Sequence, residues 1–238
     1  MQWDHRLYLQ DAIQVREQSV SKTRQNLINK FETFVNWSYA PAEKCCRKAP
    51  GGLLKLRQAS ASVDAIKLDV ARNNNREVIK LLFPYFSSIN GNFYPVDKER
   101  YRIGLNTSVQ NRLFGLVHGK DEKCLYWTQY RKSGLMDHQT LSLISTVLRT
   151  VYLEDPDYDG FQLKLIDVGI GDEEHRRLRI YNSNDFDVLS QDELDDFFNP
   201  VFQALNSLRE EGFAPKKREE KKKTDPLIDP NAPSFFDL

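Results

Sequence analysis

The sequence predicts an α+β fold with a packed body and a polar C-terminal tail, and three observations carry that expectation. Helical periodicity dominates to about residue 83, alternating aromatic and branched segments take over from Phe93, and all periodicity ceases after Gly212. The expected order is an N-terminal helical segment, then a helix, a three-stranded meander, a helix, two strands and a last helix. The chain accordingly divides into a long helix and linker (1–58), an α+β body (59–213) and a disordered charged tail ending in a hydrophobic peptide (214–238).

Each element has its own signal. Ile13, Val20, Leu27 and Phe34 recur every seven residues, with Phe31 and Val35 widening the stripe, which predicts one helix over 6–38. Pro41, Pro50 and the Gly51–Gly52 pair punctuate residues 39–58, which read as a connection. Helix resumes at Ser60 or Ser62, is expected to break or kink at Asn73–Asn75, and stops at Pro84. YRIGLN (101–106), NRLFGLVHG (111–119) and EKCLYWTQYR (122–131) read as antiparallel strands joined by the short links TSVQ and KD. Asp137 resembles the N-cap of a helix to about Tyr152. Residues 159–169 and 176–182 read as two further strands, and Ser190 with Glu193 forms a capping-box pattern opening a helix to about Leu208. Leu113, Leu116, Leu125, Leu141, Ile144, Leu148, Leu163, Leu165, Phe198 and Phe202 are expected to share a core.

Composition limits the class. Hydrophobic residues at 40% and charged residues at 29% fit a globular chain. No apolar run approaches the roughly 20 residues that span a bilayer, so no membrane partner is expected. The N-terminus lacks the basic-then-apolar order of a signal peptide. Three cysteines, two of them adjacent, do not make a disulfide framework, and the expected compartment is the cytoplasm.

The formal net charge of zero hides a division along the chain. Residues 1–135 carry 22 basic and 12 acidic side chains, residues 136–213 carry 6 and 17, and the tail carries 6 and 5. Such asymmetry predicts a partner of opposite charge for one half, unless the halves neutralise each other within the fold. Arg100, Arg102, Arg112, Lys120, Lys123, Arg131 and Lys132 lie on or beside the expected meander, interleaved with Tyr101, Tyr126, Trp127 and Tyr130. Cations and aromatic rings on one sheet are what holding phosphates and stacking bases requires, so nucleic acid is a candidate partner. Alternation along a strand sends neighbours to opposite faces, however, and would put most of those rings in the core.

No motif nominates an active site, and no catalytic residue, metal ligand or cofactor is expected. The order of helices and strands resembles the restriction-endonuclease-like core, which implies an Asp on one strand and an acidic-x-Lys triplet on the next to hold Mg²⁺. Here the third strand offers Gln129, Tyr130 and Arg131, the fourth Gln162 and Lys164, and the nearest acids are Asp97 and Asp121. Hard cations need charged oxygens, so a divergent nuclease ranks as the alternative. The order also resembles the double-stranded-RNA-binding fold, but LMDHQTLSLI lacks the lysines that the resemblance implies. The acidic run Glu154–Asp159 begins like a calcium loop and lacks its closing Glu, and the four histidines show no paired spacing.

The tail supplies a different signal. Leu227, Ile228, Phe235, Phe236 and Leu238 are large apolar residues in a segment with three prolines and no periodicity. Apolar groups on such a segment commonly anchor in a partner's groove, and the alternative is a tail folded onto its own body. The peptide is loosely similar to those that dock on sliding clamps and to the tails of single-strand-binding proteins, and departs from both motifs. The expected function is therefore a non-enzymatic interaction protein, an accessory or adaptor subunit associated with nucleic acid, whose tail binds protein.

Overall fold

A computed structural model describes residues 7–33, 38–120, 122–131, 136–170 and 175–215. The fold is α+β, with N-terminal helices, a mixed five-stranded sheet, a separate hairpin and a C-terminal helix. Helices α1 (Leu9–Val15), α2 (Val20–Glu32), α3 (Ala40–Cys46), α4 (Leu56–Asp64) and α5 (Asp69–Ser87) come first. Strands β1 (Asn92–Tyr94), β2 (Glu99–Gly104), β3 (Thr107–Asn111), β4 (Gly115–His118) and β5 (Lys123–Gln129) follow. Then come α6 (His138–Leu148), β6 (Gln162–Asp167), β7 (Arg179–Asn182) and α7 (Gln191–Glu210).

The sheet runs β1-β4-β5-β6-β7 and is antiparallel except for the parallel pair β5–β6, which α6 connects. Strand alternation divides the interior in two. Leu125, Trp127, Leu163 and Leu165 point to one face and join α1, α2, α6, α7 and the hairpin. Cys124, Tyr126, Ile166 and Val168 point to the other and join α3, α4 and α5. With helices on both faces, β5 is buried from Cys124 to Gln129, and apolar residues occupy successive positions from Cys124 to Trp127 without alternation.

Several expectations need correction. The helix expected over 6–38 is two, because Arg16 and Ser19 are extended and Thr23 ties back to Glu17 by bonds of 3.0 and 3.2 Å. Phe34 and Val35 lie outside the described residues. The connection 39–58 contains α3, with Pro41 in its first turn and Cys45 and Cys46 buried on the second core. Asn73–Asn75 do not interrupt α5. Asn74 and Asn75 donate to the carbonyls of Val70 and Ala71 one turn back, and Asn75 also bonds Ala42 and Ser38. The break falls instead at Ala65–Leu68, and α5 continues one turn past Pro84.

The expected meander is split. TSVQN, read mostly as a link, is strand β3, and β2–β3 form their own two-stranded sheet. Only β4–β5 pair as expected. Of the expected core, eight residues share the first cluster and Leu116 packs half-buried against it. Phe202 is outside it: its ring lies over Gly104 of the hairpin, where a Cβ would come within 2.4 Å. The Asp137 N-cap and the Ser190–Glu193 capping box are both present.

Candidate protein-docking surface

The most exposed large apolar side chain among the described residues is Leu53, at 79%, with Leu56 at 43% two residues before Gln58. Leu53 sits between α3 and α4, after a single 3₁₀ turn at Pro50–Gly52, and Leu56 is the first residue of α4. Gly51 and Gly52 have φ of +69° and +72°, a left-handed conformation that side chains with a Cβ rarely adopt. Those two residues turn the chain outward, while Leu54 packs against the second core and the Lys55 N–H donates to Gln58 Oε1 at 2.9 Å. Leu53 is thus presented from a held loop and Leu56 from the first turn of α4. Leu68 and Val70, at the start of the neighbouring helix α5, are exposed as well. Arg72 closes the α4–α5 turn by donating to the Ile66 carbonyl, and Arg76 pairs with Asp64 at 2.6 Å. Exposed large apolar side chains beside a packed helix pair are candidates for burial by a partner.

Sequence reasoning missed this site, because glycine and proline marked the segment as a linker. The signal was present in GGLLKL, three leucines in six residues of a supposed loop.

The basic set does not form one surface. Arg100 and Arg102 are exposed on the hairpin, and Arg102 bonds the Gly104 carbonyl. Arg112 pairs with Glu43 of α3, and Arg131 with Asp11 and Gln14 of α1. Lys120 and Lys123 line a polar cavity of about 270 Å³ beside Lys164 and Glu122, on the five-stranded sheet. Lys132 lies outside the described residues. Tyr101, Tyr126, Trp127 and Tyr130 are all buried, Tyr101 and Trp127 in the first core and Tyr126 and Tyr130 in the second, and none offers an open face for stacking bases.

The groups that a nuclease reading would need do not converge. Lys164 Nζ bonds Glu122 Oε1 at 2.8 Å beside Tyr126, whereas Gln129 Oε1 accepts from the Arg131 backbone at 2.5 Å near α1. Burial disfavours both charges of the Lys164–Glu122 pair, but their mutual bond prevails, holding Glu122 below and Lys164 above its ordinary value. Asp97 offers its backbone carbonyl to the Tyr152 hydroxyl. Among the described residues no three His, Cys, Asp or Glu side chains gather as metal ligands would. The thiols are not poised for chemistry either. Burial pushes Cys124 up to about 12 and Cys46 higher still, so neither ionises near neutral pH.

The described residues therefore define an α+β protein with exposed leucines beside α4 and no gathered set of catalytic or metal-binding side chains among them. Residues 18–210 match the family model described as "Sliding clamp-binding bacterial toxin SocB", and the chain belongs to that family. It is a protein-binding toxin whose partner is the sliding clamp, and the nuclease alternative is set aside by that membership. No curated protein and no solved structure matches the chain. The tail residues Leu227, Ile228, Phe235, Phe236 and Leu238 lie beyond both the match and the described residues. No helix among the described residues is long and apolar enough to cross a membrane.

Proposed function

We propose that the chain is toxic by occupying the sliding clamp, and that Leu53 and Leu56 are its docking residues. The exposure of these leucines inside the matched span carries the reading. A short apolar segment held in a fixed shape loses little conformational entropy on entering a groove, and large side chains set outside a core are natural anchors. A protein that fills a replication component's docking groove excludes that component's other partners and needs no catalytic group to do so. Its place of action is then the cytoplasm, where the clamp meets DNA.

A second reading has its own observation. The C-terminal peptide carries Leu227, Ile228, Phe235, Phe236 and Leu238 without helical or strand periodicity, so 214–238 is a separate docking arm in this reading. The family match stops at 210, which favours the loop for a property that the family shares.

Binding of the purified full chain to purified clamp by surface plasmon resonance separates the two. In the first reading Leu53→Asp with Leu56→Asp lowers affinity at least about a hundredfold, the scale of a lost hot spot. Deletion of 224–238 then leaves affinity unchanged. The reverse pattern assigns docking to the tail. Full affinity in both variants would remove both readings.

A further inference from the structure

We infer that the clamp groove receiving Leu53 and Leu56 is rimmed by carboxylates, and that unpaired cations around these leucines, Lys55, Arg57 and Lys67 foremost, steer the encounter; this rests on the leucines being the docking residues. The charge around them is one-sided. Residues 38–72 carry seven basic and three acidic side chains. Each acid is already held by arginine: Glu43 by Arg47 at 3.5 Å and by Arg112, Asp64 by Arg76 at 2.6 Å, and Asp69 by Arg72. Lys44, Lys48, Lys55, Arg57 and Lys67 are left over. All five are exposed, and among the described residues none pairs with a carboxylate.

The fold keeps this excess together. Helix α7 carries five acids between Asp192 and Glu210, but it packs on the first core, whereas α3, α4 and α5 pack on the second, across the five-stranded sheet. Lys55 and Arg57 flank Leu56, and Lys67 precedes Leu68. Helix α4 spans roughly 12 Å at 1.5 Å per residue, little more than the roughly 8–10 Å over which charges act in physiological salt. Cations at its two ends therefore reinforce one another. Lys44 and Lys48 add to them from α3, which is joined to α4 where Cys45 Sγ lies 3.0 Å from Ser62 Oγ.

Apolar knobs set among cations select a partner of matching layout. A phosphate backbone would satisfy the cations and leave Leu53 and Leu56 with no apolar surface to meet. A groove buries the leucines and brings its margin against the cations, and a margin without acids would strip water from ammonium groups with nothing in return. Carboxylates there compensate that loss. Charges at such a rim stay partly solvated, so they act chiefly on the rate of association and on the choice of partner.

The test is the kinetics of full chain binding to purified clamp, measured by stopped flow from about 50 to about 500 mM salt. The association rate of the parent should fall about tenfold or more over that range, with the dissociation rate changing far less. Lys55→Gln with Arg57→Gln and Lys67→Gln should slow association about tenfold at low salt and flatten its salt dependence. The melting temperature should stay unchanged, because unpaired surface charges contribute little to folding. Lys55→Arg with Arg57→Lys and Lys67→Arg should restore the parent rate and its salt dependence, which a role in packing would not. Association unchanged by salt and by the Gln substitutions, with binding still lost in Leu53→Asp with Leu56→Asp, would overturn the inference and leave leucine docking standing. Full binding by that leucine variant would overturn both. Binding of double-stranded DNA that the Gln substitutions abolish, with clamp kinetics unaffected, would assign the cations to nucleic acid and overturn the inference as well.

Discussion

Replacing Arg176 by Met should cost the fold about 3–5 kcal/mol, the usual penalty for removing one partner of a buried, hydrogen-bonded charge. The side chain is 3% exposed and ties four segments together. Nη1 donates to the Tyr130 carbonyl at 2.6 Å and to the Val168 carbonyl at 2.8 Å, at the ends of adjacent parallel strands. Nη2 donates to the Tyr39 hydroxyl at 2.6 Å and Asn74 Oδ1 at 3.1 Å, and Nε to Glu77 at 3.0 Å. Methionine fills much of the volume and supplies no donor. Glu77 is half exposed and regains water, so its loss weighs little. The two buried strand-end carbonyls do not regain it, and each costs about 1–3 kcal/mol when unpaired. Two of them account for the predicted range. The assay is urea denaturation of the full chain, comparing midpoints at constant slope. Arg176→Lys, which keeps charge and some donors, should fall between. A loss below about 1 kcal/mol for Arg176→Met would refute the reasoning, because it would mean that the carbonyls find other donors at no cost.

Two further outcomes follow from single contacts. Gly104→Ala places a Cβ against the Phe202 ring and should destabilise by about 1–3 kcal/mol through overpacking, whereas the double variant with Phe202→Ala should cost less than the sum of the singles in the same denaturation assay. Asp137→Ala removes the N-cap bond to the Thr140 N–H and should cost about 0.5–2 kcal/mol. The Thr140 bonds hold the Asp137 carboxyl below its ordinary value. Its contribution is therefore complete above the unfolded value near about 4 and lost as pH falls through the lower folded value, so the wild-type and variant melting curves should converge in acid.

The parts of the fold that could be read from the sequence were those set by local chemistry. Ser190 with Glu193 and Asp137 before its apolar stripe marked the starts of α7 and α6, because capping requires only neighbours in the chain. The misread parts depend on distant partners. Asn73–Asn75 weaken an isolated helix, but within the fold Asn75 is fully buried and joins α5 to α3 and Ser38. Strand β3 lacks an apolar run, and its backbone is placed by distant partners: the Gln110 N–H donates to the Leu7 carbonyl and the Tyr152 hydroxyl donates to the Asn111 carbonyl. The candidate site shows the same limit. A count of cations along the chain cannot reveal that Arg112 and Arg131 spend charge on Glu43 and Asp11, each from a different helix. Exposure of Leu53 is a tertiary property as well, since the same leucine in a packed helix would be core.

The docking loop yields the last prediction. Gly52 holds φ at +72° with no heavy atom within 4 Å of where a Cβ would stand, so alanine there meets no clash and pays only for backbone conformation. That price is about 1–2 kcal/mol for a residue with a Cβ in the left-handed region, and less for asparagine. It can fall in one of two places. If the helices hold the loop in its shape, the folded state bears the cost and stability drops by that amount. If the loop instead relaxes, the shape that presents Leu53 becomes a minor conformer, and apparent affinity for the clamp falls by the lost population, about fivefold per kcal/mol. Gly52→Ala should therefore show one loss or a division between the two, with Gly52→Asn closer to the parent in both. Measuring melting temperature and clamp affinity on the same preparations separates the cases. A variant unchanged in stability and affinity would mean that the left-handed turn does not shape the docking surface, and the case for Leu53 and Leu56 would then rest on exposure alone.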